Sequence, residues 1–124
     1  DQQGHLYFAN YLIYADEVTC SFMENLGFSA YKIEEIPCFL FTVNVNCDYL
    51  GECTSGDEVE VHVGYSRIGK SSADVAFELY LSSTNQALAR GTFTQVFVDK
   101  ETRKSCEIPA FYRSAILESH PDLE

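Results

Sequence analysis

A chain of 124 residues with 46% hydrophobic content, eight Tyr and nine Phe is the size of one domain and can bury a real core, which excludes a disordered chain. Its formal charge of −11 excludes general nucleic-acid binding, which needs a basic face to neutralise phosphate, and it repels anionic membranes. No apolar run reaches transmembrane length and no basic-then-apolar leader opens the chain, so a soluble, cytoplasmic protein is expected. The five cysteines (Cys20, Cys38, Cys47, Cys53 and Cys106) are odd in number and lack C-x-x-C spacing. They read as reduced thiols rather than as a disulfide framework or a zinc site.

In chain order, Tyr11 to Leu26 is predicted to be a helix. Tyr11, Ala15, Val18, Phe22 and Leu26 form an apolar stripe with Leu12 and Tyr14 at its edges, and Gly27 supplies the stop. The thin polar arc predicts a helix enclosed on most sides. Phe28 to Pro37 reads as irregular. From there the apolar period changes to two. Phe39, Phe41, Val43 and Val45 share one face of a first strand, and Val59 to Tyr65 and Val75 to Leu81 form the next two. Ala89, Gly91, Phe93, Gln95 and Phe97 share a face of the fourth. Turn residues at 54–57, 69–71 and 82–85 separate these runs. Asp99 to Cys106 reads as a polar hairpin and Pro109 to Ser119 as a short helix.

Four strands with short connections and no intervening helix predict a meander-like antiparallel sheet. One apolar helix followed by such a sheet describes a single α+β hot-dog domain over 1–124, with the sheet wrapped around one long central helix. The unpaired edge strand of such a sheet predicts a homodimer, or a homotetramer built as a dimer of dimers.

The stretch Asp1-Gln2-Gln3-Gly4-His5-Leu6-Tyr7-Phe8-Ala9-Asn10-Tyr11, with Asp16 further along the helix, resembles the signature of the 4-hydroxybenzoyl-CoA thioesterase-like family of hot-dog acyl-CoA thioesterases. The resemblance implies acyl-CoA hydrolysis without a metal or redox cofactor. It casts Asp1 as nucleophile or general base and the Phe8 backbone N–H as the oxyanion donor. His5 and Gly4 take supporting places, and Tyr7, Tyr11 and Tyr14 line the acyl pocket. Family members carry a β-strand before the acid, whereas this sequence begins on the acid itself, so that strand is expected to be absent or trimmed. The chemistry is reasonable on its own terms. A thioester needs a carboxylate, or a water activated by one, together with a donor for the developing oxyanion, and a helix N-terminus offers free N–H groups and a favourable dipole.

Gly64-Tyr65-Ser66-Arg67-Ile68-Gly69-Lys70-Ser71 matches the phosphate-cradling G-x-x-x-x-G-K-S pattern letter for letter. That loop works by opening a helix, and the residues after it here alternate at period two, so a nucleotide hydrolase is rejected. The family resemblance instead gives Arg67, Lys70 and Ser71 to the phosphates of CoA. An acyl carrier protein as thioester donor is the alternative to CoA, and the overall acidity argues against it because like charges repel across an interface. A non-catalytic acyl-binding module is the other alternative. No G-x-S-x-G elbow is present, and His5, His62 and His120 lie on separate elements without metal-ligand spacing.

Overall fold

The computed structural model describes residues 9–29, 38–54 and 56–123. Helix α1 spans Ala9–Asn25. It ends as the sequence predicts. Gly27 adopts φ +100°, the Gly27 N–H donates to the Glu24 carbonyl, and the Phe28 N–H reaches back to the Met23 carbonyl, both at 3.0 Å. This is a Schellman closure, and its left-handed position favours glycine.

The buried stripe of α1 differs from the predicted one. Tyr11, Ala15, Thr19 and Met23 are buried, whereas Val18, Phe22 and Leu26 are only partly covered. Thr19 is tolerated inside because its hydroxyl donates to the Ala15 carbonyl at 2.7 Å. Nor is the helix enclosed on most sides within one protomer: Ile13 is 51% exposed and Tyr14 36%.

Four strands follow: β1 (Cys38–Tyr49), β2 (Val59–Ile68), β3 (Ser72–Leu81) and β4 (Gln86–Asp99). All pairings are antiparallel, in the order β1-β4-β3-β2. The expected meander therefore holds only for β2, β3 and β4. The connection after β1 carries the chain across the sheet, so that β1 pairs with β4 and not with β2. α1 packs on β2 and β3. Helix α2 (Ala110–Ser119) completes the core through Tyr112 and Ile116, and a short 3-10 turn at Pro121–Leu123 follows it.

The inward faces of β2, β3 and β4 agree with the alternation in the sequence. Val75, Phe77, Leu79, Phe93 and Phe97 are buried, and Phe77 stacks on Phe93 at 4.8 Å between ring centroids. Strand β1 departs from its predicted face. Its pairing with β4 slips between Thr42 and Asn44, so Val43 is an extra residue in a bulge. Before the bulge Leu40 and Thr42 oppose inward Phe97 and Gln95; after it Val45, Cys47 and Tyr49 oppose inward Phe93, Gly91 and Ala89. One inserted residue swaps the faces, and along β1 Phe41 (46%), Val43 (60%), Val45 (44%) and Tyr49 (43%) are all exposed. Gly91 is required where β1 crosses: a Cβ there would collide with the Asn46 carbonyl oxygen and lie 2.7 Å from Phe77 Cζ.

Beyond β4 the chain turns back as the predicted hairpin. The Asp99 N–H donates to the Lys104 carbonyl, and Val98 bridges to Ser105. Among the described residues nothing pairs with the outer edge of β1.

Candidate active site

The first turn of α1 has backbone N–H groups without intrahelical acceptors, and the helix dipole adds positive potential there. Tyr11 anchors this turn. Its ring is buried, and its hydroxyl donates to the Gly51 carbonyl at 3.4 Å and to Cys53 Sγ at 3.6 Å. Burial, then the Cys53 thiol, pushes the phenol well above its ordinary range. The Tyr11 phenol is therefore held neutral within the core. It fixes where the helix begins relative to the loop after β1. Asp1, Gly4, His5, Tyr7 and Phe8 lie outside the described residues.

A cavity of about 370 Å³ opens between α1 and the start of β2, lined by Tyr14, Glu17 and Val18 from the helix, Thr54, Asp57 and Glu58 from the loop, and Val59 and Val61 from the strand. Asp57 holds the loop by accepting from the Thr54 N–H at 2.8 Å and the Thr54 hydroxyl at 3.2 Å. At 1.5 Å of rise per residue, Tyr14 and Val18 lie about 7 and 13 Å along the axis from Ala9. Tyr14 is among the residues that line the cavity. Glu17 is the helix acid that lines it; both Glu17 and Asp16 are exposed. The signal was present in the sequence, because Glu17 lies three residues after Tyr14 and so shares its face.

Arg67, Lys70 and Ser71 sit at the other end of β2, about 30 Å of strand away. The literal phosphate-loop match is a β-hairpin with no helix after it, which upholds its rejection. Lys70 and Ser71 line an open depression of about 390 Å³ with Ser105, Cys106 and Glu107. Arg67 does not line it. Its Nε lies 2.8 Å from Asp74 Oδ2, one Nη lies 3.2 Å from Oδ1, and the same Nη reaches Ser72 Oγ at 3.1 Å. The hydrogen-bonded guanidinium holds the Asp74 carboxyl below its usual range. Lys70 Nζ lies 3.5 Å from Glu107, with both side chains largely exposed. Arg113 of α2, which sequence reasoning missed, fixes the turn: its Nη donates to the Gly69 carbonyl at 2.5 Å and the Lys70 carbonyl at 3.2 Å. Nothing in the one-dimensional pattern links α2 to that hairpin.

One further polar group is buried outright. Tyr65 donates its proton to Gln95 Oε1 at 2.9 Å, and its oxygen lies 2.6 Å from the Tyr112 hydroxyl, which therefore donates to it. Gln95 Nε2 in turn contacts Met23 Sδ at 3.3 Å. This chain ties α1, β2, β4 and α2 together within the core. Among the described residues no group of three His, Cys, Asp or Glu side chains could hold a metal ion. The five thiols form no disulfide.

The sequence profile of the thioesterase-like superfamily matches residues 1–116. The chain belongs to that superfamily. Solved structures share its fold over nearly its whole length. The PA5185 protein from Pseudomonas aeruginosa strain PAO1 is 25% identical, with a TM-score of 0.82 covering 95% of this chain and 81% of that one. Slr0204, a 1,4-dihydroxy-2-naphthoyl-CoA thioesterase from Synechocystis, is 22% identical, with a TM-score of 0.86 covering 95% and 87%. The protein SAV2348 from Staphylococcus aureus, solved in complex with CoA, is 21% identical, with a TM-score of 0.88 covering 98% and 76%. No curated protein sequence matches the chain at a significant level. The thioesterase-like superfamily and its hot-dog fold, inferred from the first eleven residues and the strand pattern, are thus established for this chain. Among the described residues no helix is long and apolar enough to cross a membrane.

Proposed function

We propose that this protein is an acyl-CoA thioesterase, releasing a free acid and CoA. The observation that carries the reading is the superfamily match, which runs unbroken from Asp1 through α1 and the sheet to Ile116. In this reading Asp1 either takes a proton from the water that adds to the thioester carbonyl, or adds its own carboxylate there, in which case a water then hydrolyses the resulting Asp1–acyl anhydride to free acid and regenerated carboxylate. The carbonyl oxygen gains charge as the tetrahedral centre forms, and the Phe8 N–H, with help from His5 or Gly4, stabilises that charge. The C–S bond then breaks and CoA leaves as the thiolate, which takes up a proton. One oxyanion donor of this kind contributes about 3 kcal/mol.

α1 is the central helix of the hot-dog, with the acyl group running along it past Tyr7, Tyr11 and Tyr14. Lys70 and Ser71 receive the CoA phosphates, and Arg67 stiffens their hairpin through Asp74. The distance between the two ends of β2 is resolved by a dimer. Antiparallel pairing of β1 with its copy about a two-fold axis turns one protomer end for end. That would put the partner's Lys70 at the end where α1 begins, and it gives the outer edge of β1 a backbone partner. A tetramer would be two such dimers, and the cytoplasm is the compartment that suits five free thiols.

The test is thiol release from a panel of aromatic, short and long acyl-CoAs. Asp1→Asn is expected to lose at least about 100-fold in rate. An Asp1→Asn protein as fast as wild type would sink the mechanism.

A further inference from the structure

Arg67, Lys70, Arg113 and the cations of the 99–104 turn stand at the end of the sheet where β1 starts and β4 stops. Among the described residues, Lys70 is the cation that lines the open depression there, with Ser71, Ser105, Cys106 and Glu107 around it. Arg67 is committed to Asp74 and Ser72, and Arg113 to the carbonyls of Gly69 and Lys70. The depression is thus lined by one positive and one negative side chain, Lys70 and Glu107, whose charges cancel.

Their facing positions are set by the backbone. Phe97 in β4 holds both walls: its N–H donates to the Ser71 carbonyl, and its carbonyl accepts from the Cys106 N–H, each at 2.9 Å. Val98 bridges to Ser105 beside them. The Ile108 N–H then donates to the Lys70 carbonyl at 2.9 Å, and Ile108 is buried. Glu107 is therefore pinned on both sides, directly across from Lys70, with the Lys70 Nζ 3.5 Å from its Oε1. The two side chains are 81% and 72% exposed, so the pair adds little to stability. Its consequence falls on a ligand. A phosphate that reaches Lys70 must displace the carboxylate and then stay close to it, against the repulsion of like charges.

We infer that Glu107 competes with the CoA phosphates for Lys70 and so holds down the affinity for CoA, in substrate and product alike. This role presupposes the acyl-CoA thioesterase proposed above, with the phosphates at Lys70 and Ser71. The thiol product carries the same phosphates as the substrate. A site without this acid would grip both more tightly, which does nothing for the chemical step and delays release of CoA.

The probe is CoA itself, titrated calorimetrically into the full chain. An exposed ion pair is worth up to about fivefold in an equilibrium constant, and relief of the like-charge repulsion adds to that. Glu107→Gln is therefore expected to bind CoA about three- to tenfold more tightly and to lower the KM for acyl-CoA. The KM for the matching acyl-pantetheine, which has no phosphates, should not move. The gain should shrink at higher salt and in a Lys70→Met background, where CoA binding is itself at least about threefold weaker. Glu101→Gln removes an equal charge from the neighbouring turn and should change CoA affinity by less than about twofold. Unchanged or weaker CoA binding by Glu107→Gln, while Lys70→Met still loses affinity, would overturn the inference and leave the thioesterase reading standing. An equal gain from Glu101→Gln, or an equal fall in KM for acyl-pantetheine, would overturn it as well. No CoA binding by the wild-type protein would remove the acyl-CoA reading, and the role of Glu107 with it.

Discussion

The buried Tyr65–Tyr112–Gln95 chain predicts an unusual order of stabilities. Tyr112→Phe removes one donor to the Tyr65 oxygen, while the Tyr65 proton still serves Gln95, so the cost is that of one lost hydrogen bond, about 1 kcal/mol. Tyr65→Phe is worse. It leaves the Gln95 Oε1 acceptor and the Tyr112 O–H donor without partners, in places where Gln95 is 2% exposed and Tyr112 fully buried. Two orphaned groups at about 1–2 kcal/mol each give roughly 3 kcal/mol. In Tyr65→Phe/Tyr112→Phe only the Gln95 oxygen is orphaned, so the double variant should cost about 2 kcal/mol and be more stable than Tyr65→Phe alone. Urea unfolding followed by circular dichroism, with unchanged m-values, measures all three. Equal costs for the two single variants, or a double variant less stable than either, would refute the assigned directions of the bonds.

Gly91→Ala must displace either the β1 backbone at Asn46 or the Phe77 ring, and is expected to cost about 3 kcal/mol; a loss below about 1 kcal/mol in the same unfolding assay would mean that β1 does not cross there. The Arg67–Asp74 pair sets a pH dependence. The Asp74 carboxyl is held below its unfolded value of about 3.9, so its contribution is present above that pH and is lost as pH falls through the folded value. The Arg67 side chain is 45% exposed, so the contribution is below about 1 kcal/mol. Asp74→Asn should therefore lie a constant small amount below wild type from about pH 5 to 8 and converge with it in acid; a gap that widens on acidification would contradict the pairing.

Local patterns in this chain were enough to determine the helix, its glycine stop, the four strands, the inward faces of β2 to β4 and the hairpin tail; the superfamily came from the resemblance of the first eleven residues. Each depends on neighbours in sequence: a 3.6 or 2.0 period, a left-handed stop, or a short ordered motif. The hairpin nature of Gly64 to Ser71 was legible for the same reason, since the residues after Ser71 alternate in polarity. The tertiary structure alone decided the rest. The placement of β1 against β4 depends on a crossover whose direction no local pattern states. The face swap within β1 comes from a single bulged residue, Val43, which looks like any other member of an alternating strand. Arg113 on the 69–70 carbonyls and the partnering of Tyr65 with Tyr112 join residues about forty-five positions apart, 44 and 47 respectively. Most consequential is charge. Composition reports a sum, −11, whereas recognition depends on where the charges stand, and only the fold brings the cations of β2, the 99–104 turn and α2 to one end.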